Sequence, residues 1–289
     1  MKAAPSREPP SNQLLGFIGL KGLEEVPSLR VQRYNAGLDA LARLPGFTRL
    51  TTVSFPIYAA WFSAGRLQRY HIACGGDEVA AVRLYQHNLR LAQAFYVPLQ
   101  VVEVALRNAL DERLRRHFGQ DANWLITQQT GFMNHPALHF RDPASGKTRV
   151  RDRLRRSVED ARRNLPAGAS PGKLVAELTF GFWTSLYDRE HFRILQGQPL
   201  GVFRSLPPAL KRQDVANHLR LIRSIRNRVY HYEPLCFSGD AVSLKDTLAA
   251  HRAIYDVCRW LGPDLLALIQ ELDRVSAAIR WFRRTYPDA

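Results

Sequence analysis

The stretch from Arg226 to Pro234, RNRVYHYEP, concentrates side chains suited to acid–base chemistry on a phosphate. A histidine exchanges protons near neutral pH, and an arginine binds a phosphate through two parallel hydrogen bonds. RNA carries its own nucleophile, the 2′-hydroxyl, so its cleavage needs a proton-transfer group and a cation beside the phosphorane. We therefore treat Arg226 and His231 as candidate catalytic residues, with Asn227 orienting the phosphate or the imidazole.

An apolar stripe at helical spacing runs into this motif. It consists of Val215, Leu219, Ile222, Ile225 and Val229. Arg226 lies within the stripe, and an arginine is rarely buried without an anion because desolvation costs several kcal/mol. Either an anionic partner faces Arg226, or its guanidinium extends to the surface. His231 follows five residues later, about 140° around an ideal helix, so two facing helices aim both groups at one phosphate more easily than one helix does.

A second polar cluster lies in the apolar segment VVEVALRNAL, residues 101–110. Glu103 has apolar neighbours, so its carboxylate needs a partner. An ion pair with Arg107, one helical turn further along, is the simplest interpretation. Alternatively, Glu103, Arg107 and Asn108 form a polar network that supports the site, or Glu103 is the partner of Arg226.

The helix that carries the motif should end near His231. Glu233 precedes Pro234, and the residue before a proline disfavours helix. We assign Glu233 to the supporting network as well. Arg223 and Arg228, on the same helix, are predicted to bind the RNA backbone.

Composition narrows the class of partner. The formal net charge of +15 favours polyanions, nucleic acid above all, although arginine on solvated surfaces is the alternative explanation. The three cysteines form no CxxC pair and are odd in number, which fits free thiols in a reducing cytosol better than disulfides or a zinc site. No apolar stretch reaches the roughly 18 residues of a membrane span. We expect a cytoplasmic protein without metal, cofactor or membrane contact.

Hydrophobic periodicity predicts an all-α domain over residues 51–289, after a partly disordered extension at 1–50. Pro98 is expected in the first turn of a new helix. A polar, turn-rich loop is predicted at 133–150. The predicted helices include 77–96, 98–118, 149–164, 207–232, 243–260 and 263–284.

Four sequence blocks reinforce this interpretation. They are GRLQRY, LYQHNLRLAQAFYVPLQVVEVALRNAL, LTFGFWTSLY and IRNRVYHYEP, in that order. Together with the Arg-x4-His spacing of Arg226 and His231, they resemble the Abi-like (abortive infection) proteins, a bacterial family of HEPN domains. The resemblance covers roughly residues 56–260.

The resemblance implies a helical bundle that forms a homodimer, in which Arg and His from two chains meet around an RNA-sized cleft. It also implies a metal-independent endoribonuclease that acts as a toxin or in phage defence, with a possible antitoxin or defence-system partner. Asn227 fills the polar position that follows the motif Arg. Some relatives controlled by a nucleotidyltransferase carry a Tyr two residues after the His, where this chain has Glu233.

Two alternatives stay open at this point. The same fold could bind RNA or a protein without cutting, with the polar cluster as a structural network. A DNA-binding regulator is the third option, although no helix-turn-helix spacing is apparent in the sequence.

Overall fold

A computed structural model describes residues 54–289, and the predicted extension at 1–50 lies outside this range. The described part is mostly helical, so the predicted all-α class is confirmed. The α-helices are α1 (Phe55–Phe62), α2 (Ala64–Ala73), α3 (Glu78–His117), α4 (Trp124–Thr127), α5 (Arg153–Arg163), α6 (Pro171–Glu177), α7 (Phe180–Ser185), α8 (Arg189–Ile194), α9 (Arg212–Tyr230), α10 (Lys245–Leu261), α11 (Pro263–Leu272) and α12 (Val275–Thr285). Short 3-10 helices lie at Phe132–Asn134, Pro136–Leu138 and Gln198–Val202.

Helix α3 runs without interruption through Pro98, so the prediction of two helices here was wrong. A proline inside a helix costs about 3 kcal/mol because it removes a hydrogen bond and crowds the preceding turn. Phe95, Leu99, Val102 and other members of the same stripe are almost fully buried. Each such side chain contributes about 1.5–3 kcal/mol on burial, so the continuous stripe outweighs the local penalty.

By length and composition, α3 is also a helix that could cross a membrane. One apolar stripe of α3 packs inside the bundle. Its members include Leu84, Leu91, Leu106, Leu110 and Leu114, each with no exposed surface. In the apolar window of α3, 33% is buried inside the described part of the chain, and core helices of soluble proteins pass the same test of length and composition.

Helix α9 carries the candidate motif and packs along α10, with further contacts to α7 and α3. It begins at Arg212, later than the predicted start at 207, and the carboxylate of Asp214 accepts a hydrogen bond from the backbone N–H of Lys211 at 2.8 Å. It ends at Tyr230 with His231 as its C-cap, which confirms the predicted end.

The sequence did not reveal two short antiparallel hairpins. Strands β1 (His139–Arg141) and β2 (Thr148–Val150) pair within the segment predicted as a loop. Strands β3 (Phe237–Ser238) and β4 (Ala241–Val242) follow the motif. Three- and two-residue strands are too short to show alternation, which explains why periodicity missed them.

The predicted helix at 263–284 is two helices, α11 and α12. The break lies at Asp273, whose carboxylate accepts the backbone N–H of Val275 at 2.8 Å. The same carboxylate lies 2.9 Å from His251 Nε2 and accepts the Tyr255 hydroxyl at 3.1 Å. These partners on α10 fix the turn, so tertiary contacts end α11 where periodicity alone continues it.

Candidate active site

The C-terminal end of α9 is closed by a Schellman motif. The N–H of Glu233 donates to the carbonyl of Arg228 at 2.8 Å, and the N–H of Tyr232 donates to the carbonyl of Val229 at 3.3 Å. Tyr232 stands at φ 59°, in the left-handed region that favours glycine. The chain therefore turns sharply just after His231.

Arg226 forms an ion pair with Glu103 across α9 and α3. Its Nε lies 3.3 Å from Oε2 of Glu103, and the two side chains are only 23% and 17% exposed. This confirms the expectation that Glu103 is the partner of Arg226. The simplest interpretation, an ion pair between Glu103 and Arg107, is not what the structure shows for the Glu103 carboxylate.

Two tyrosines surround this ion pair. The guanidinium carbon of Arg226 lies 4.3 Å from the ring centre of Tyr230, a cation–π contact. Burial and the Glu103 carboxylate raise the pKa of Tyr230, with a smaller influence of Tyr96, so its phenol stays neutral at physiological pH. Tyr96 and Tyr230 are 55% and 41% exposed. The ring of Tyr230 thus covers part of Arg226 and remains partly open to solvent.

Asn227 and His231 are exposed on the solvent side of the same helix end. The side chain of Arg226 instead points toward α3, as predicted from the 140° offset between positions 226 and 231. No hydrogen bond or ion pair among residues 54–289 joins Arg226 to His231 within one chain.

The segment after the motif is anchored by three side chains from other helices. The amide oxygen of Asn88 on α3 accepts the N–H of Leu235 at 2.6 Å, and the hydroxyl of Thr247 on α10 donates to the Leu235 carbonyl at 2.6 Å. Arg66 on α2 donates to the carbonyl of Tyr232 at 2.7 Å. Asn88 and Thr247 are buried, so these contacts fix the position of the α9 end.

Arg228, predicted as an RNA-binding cation, has a structural set of partners instead. Its guanidinium donates to the carbonyls of Pro234 and Phe237, the latter at 3.0 Å, and lies 3.6 Å from a carboxylate oxygen of Asp246. The side chain is 17% exposed. It closes the loop after the motif, which leaves little of its charge for an external phosphate.

Arg223, the second predicted RNA-binding cation, is partly buried against α7. Its Nη1 donates to the hydroxyl of Thr184 at 3.3 Å. Burial and the nearby Arg153 lower its pKa, which indicates a crowded positive region. No carboxylate within residues 54–289 forms an ion pair with it, so its charge is open to an anion.

The other predicted supporting residues lie around the ion pair without forming one network. Arg107 donates to the amide oxygen of Asn108 and to the carbonyl of Ala176, each at 3.4 Å. Asn108 is exposed, and Glu233 is exposed with its backbone in the helix cap. Only Glu103 contacts a predicted catalytic side chain.

Asn88, Thr247 and Arg66 support the site and were not singled out from the sequence. A signal existed for Asn88, because it lies at helical spacing between Leu84 and Leu91, within the core stripe of α3. A polar residue in such a stripe needs a partner. Thr247 offered no comparable signal, and Arg66 stood only within the GRLQRY block.

The described residues contain no group of three or more His, Cys, Asp or Glu side chains placed to hold a metal ion. Cys236 and Cys258 are buried and free, as expected, and burial raises the pKa of each thiol to about 12. Cys74 is partly buried, with its pKa raised to about 11.

Comparisons of the chain with protein-family models, with curated proteins and with solved structures found no match.

Proposed function

We propose that the chain is a metal-independent endoribonuclease of the HEPN type that acts as a homodimer. The observation that supports this most strongly is the arrangement at the end of α9. Arg226, half-buried and held by Glu103, is followed directly by an exposed Asn227 and five residues later by an exposed His231. A toxin or phage-defence role, a cytoplasmic location and an antitoxin or defence-system partner follow from the family resemblance alone.

The proposed reaction uses the 2′-hydroxyl of RNA as the nucleophile. His231 takes the proton of the 2′-hydroxyl as its oxygen forms a bond to phosphorus, and the bond to the 5′-oxygen breaks. The imidazolium then returns a proton to the leaving 5′-oxygen. The products are a 2′,3′-cyclic phosphate and a 5′-hydroxyl.

Arg226 stabilises the negative charge that develops on the phosphorane in this scheme. Its Nε is engaged by Glu103, which leaves other N–H donors of the guanidinium for phosphate oxygens. Glu103 thereby acts as a positioning residue. Asn227, exposed beside Arg226, donates its amide to the phosphate or to the imidazole.

We propose a homodimer because Arg226 and His231 have no direct contact within one chain. Arg226 leans toward α3 while His231 lies at the solvent-facing helix end, and a symmetric pair of α9 ends offers both groups to one phosphate. The exposed Tyr96, Tyr230 and Tyr232 around the site supply apolar surface that such a contact would cover.

The test is cleavage of single-stranded RNA by the wild type and by the variants Arg226→Ala and His231→Ala, each with and without chelator. We expect each variant to lose at least about 100-fold in rate. Wild-type products should end in a 2′,3′-cyclic phosphate, and chelator should not reduce the rate.

Arg220→Ala is the matched control, since Arg220 is an exposed arginine of the same helix that bonds only to Asn217. It should cleave at close to the wild-type rate. Wild-type rates in both Arg226→Ala and His231→Ala would refute the proposal.

A second candidate function is a non-catalytic module that binds RNA or a protein through the same face. The Glu103 ion pair favours it, because Arg226 already has a partner without any substrate. Salt-sensitive RNA binding with no cleavage product at high protein concentration would distinguish this module from the nuclease.

A further inference from the structure

A second site lies in a pocket of about 480 Å³ between the β1–β2 hairpin, the start of α5 and the segment that joins α7 to α8. We call it the hairpin pocket. Its volume lies in the range of roughly 300–1,000 Å³ that small-molecule sites occupy. None of the residues that line it belongs to the predicted catalytic set.

A buried histidine lines the hairpin pocket with one nitrogen unsatisfied. His191 is 6% exposed, and its Nδ1 lies 3.1 Å from the carbonyl of Ser185. A carbonyl only accepts, so Nδ1 carries the hydrogen, and burial lowers the pKa so that the ring is neutral. Nε2 is therefore a lone-pair acceptor, and it has no partner among residues 54–289. Nε2 itself has almost no exposed surface, so a ligand that donates an O–H or N–H completes it after a small shift of the side chains that cover it.

Three arginines line the same pocket: Arg151, Arg153 and Arg189. All three are exposed, and no carboxylate within residues 54–289 forms an ion pair with any of them. Arg151 lies with its guanidinium carbon 5.2 Å from the ring centre of Phe140. The pocket thus offers several free guanidinium groups, the donors that match a phosphate.

The carboxylates of the pocket offset this charge only in part. Asp152 is engaged by Arg156 at 2.7 Å, and Glu190 is engaged by Arg193 at 2.9 Å, both within their own helical turns. Asp188 is the pocket carboxylate without such an ion pair in the described part of the chain. A net positive charge therefore faces the opening.

An aromatic ring borders the opening as well. Phe140, on β1, is 37% exposed, and the Arg151 contact accounts for one side of its ring. An exposed aromatic ring beside free cations is the combination that binds single-stranded nucleic acid, because bases stack on the ring while phosphates meet the cations.

The pocket adjoins the positive region on α9. Arg223 contacts Thr184 on α7, and Arg153 is among the charges that lower the pKa of Arg223. The Nη2 atom of Arg153 lies over Gly181, 3.2 Å from the position a Cβ would take there. Positively charged side chains therefore extend from α9, which carries the candidate active site, across α7 to the hairpin pocket.

We propose that the hairpin pocket binds one nucleotide of a single-stranded RNA. Its base stacks on Phe140, its phosphate binds Arg153 and Arg189, and one of its O–H or N–H groups donates to Nε2 of His191. The choice of RNA rests on the proposed function, whereas the binding itself requires no cleavage.

The experiment uses the full chain carrying His231→Ala, so that RNA stays intact. Adenosine 5′-monophosphate is titrated while the ¹⁵N signal of His191 Nε2 is followed by NMR. We expect that signal to move toward lower frequency in a saturable way as Nε2 accepts a hydrogen bond. Binding of the nucleotide without any change at His191 would overturn the inference, as would the absence of binding.

Affinity for a short single-stranded RNA provides the second measurement. The double variant Arg153→Ala/Arg189→Ala should bind at least about tenfold more weakly than its parent. Because both arginines bind the same phosphate, the loss of that contact should also lower the slope of log affinity against log salt by about 0.7. Phe140→Ala should weaken binding with little change in that slope, since stacking carries no charge.

The matched control is Arg280→Ala/Arg283→Ala, which removes two exposed arginines of α12 that do not line the hairpin pocket. Equal affinity of the two double variants would contradict the inference. Failure of the nuclease proposal is separate, because it appears as absent cleavage in a wild type whose nucleotide binding persists.

Discussion

Two combinations of a histidine with an asparagine have surroundings that differ completely. His87 and Asn88 lie inside α3, 2% and 4% exposed. Asn227 and His231 lie at the end of α9, where both are exposed. The first pair is built into the core, and the second is available to a ligand.

The buried pair explains how the exposed pair is held. Asn88 accepts the N–H of Leu235, four residues after His231. His87 packs against Trp281 at 4.0 Å between ring centres, and burial lowers its pKa to about 3. Its ring is therefore neutral and has no route to proton exchange at physiological pH. The same two residue types therefore stabilise the fold where they are buried, and are available for proton transfer or ligand binding where they are exposed.

The largest stability effect is expected at the anchor itself. Asn88→Ala removes the acceptor of a buried N–H and leaves a small cavity, so the free energy of unfolding should fall by about 3 kcal/mol. Denaturant unfolding measures this, and RNA cleavage per folded molecule should fall with it because the α9 end is released. Gln93→Ala, at an exposed position of the same helix, is the control and should be nearly neutral. Equal stability of the two variants would show that Asn88 does not anchor the end of α9.

The buried imidazole should make the fold sensitive to acid. The folded pKa of His87 lies near 3, below the unfolded value of 6.5. As pH falls below 6.5, the unfolded chain takes up a proton that the folded chain refuses, so stability is lost. Between pH 7 and pH 5 this group should cost about 2 kcal/mol.

The variant His87→Phe isolates this contribution. Its unfolding free energy should fall less between pH 7 and pH 5 than that of the wild type, by about 2 kcal/mol. Comparing each protein with itself at two pH values cancels any packing change. If both proteins lost the same unfolding free energy between the two pH values, His87 would have to be protonated in the folded state. The buried histidine would then not differ from an exposed one in this respect.

The ion pair next to the exposed region should have a smaller effect on stability. Glu103→Gln leaves the half-buried guanidinium of Arg226 without its charge partner, so the unfolding free energy should fall by about 1–2 kcal/mol. Glu112→Gln on the same helix is the control, since Glu112 pairs with two arginines at the surface. That change should cost less than about 1 kcal/mol. Equal effects would mean that Arg226 is not positioned by Glu103.

The smallest expected effect on stability is an increase in the unfolding free energy. Tyr232 adopts φ 59° and is 76% exposed, so its side chain adds little packing while its backbone is strained. Tyr232→Gly should raise the unfolding free energy by about 0.5–1 kcal/mol, measured by denaturant. A loss of stability would show that the ring packs against something, such as a second subunit.

From the sequence, the Glu103–Arg226 pair was one of three alternatives, because physical cost constrains both partners. A carboxylate in an apolar segment and a guanidinium in an apolar stripe each need an opposite charge. The helical end near His231 was equally accessible, since Pro234 restricts the residue before it. Local chemistry was enough to predict the helix end, but it did not choose between Arg107 and Arg226 as the partner of Glu103.

Other features depend on partners far along the chain. Pro98 looked like a helix start because the packing that offsets its cost comes from other helices. Arg228 looked like a free cation because its partners include the carbonyls of Pro234 and Phe237, in a loop whose path the sequence does not give. The unsatisfied nitrogen of His191 had no signal, since short helices and short strands carry too little periodicity.

The most direct test of the central claim is complementation between two inactive chains. Arg226→Ala and His231→Ala are expressed together with different tags, and the mixed dimer is isolated through both. One of its two composite sites keeps an Arg and a His from opposite chains, so the account predicts about half the wild-type rate of RNA cleavage. A mixed dimer as inactive as either single variant, or a fully active monomer, would contradict it.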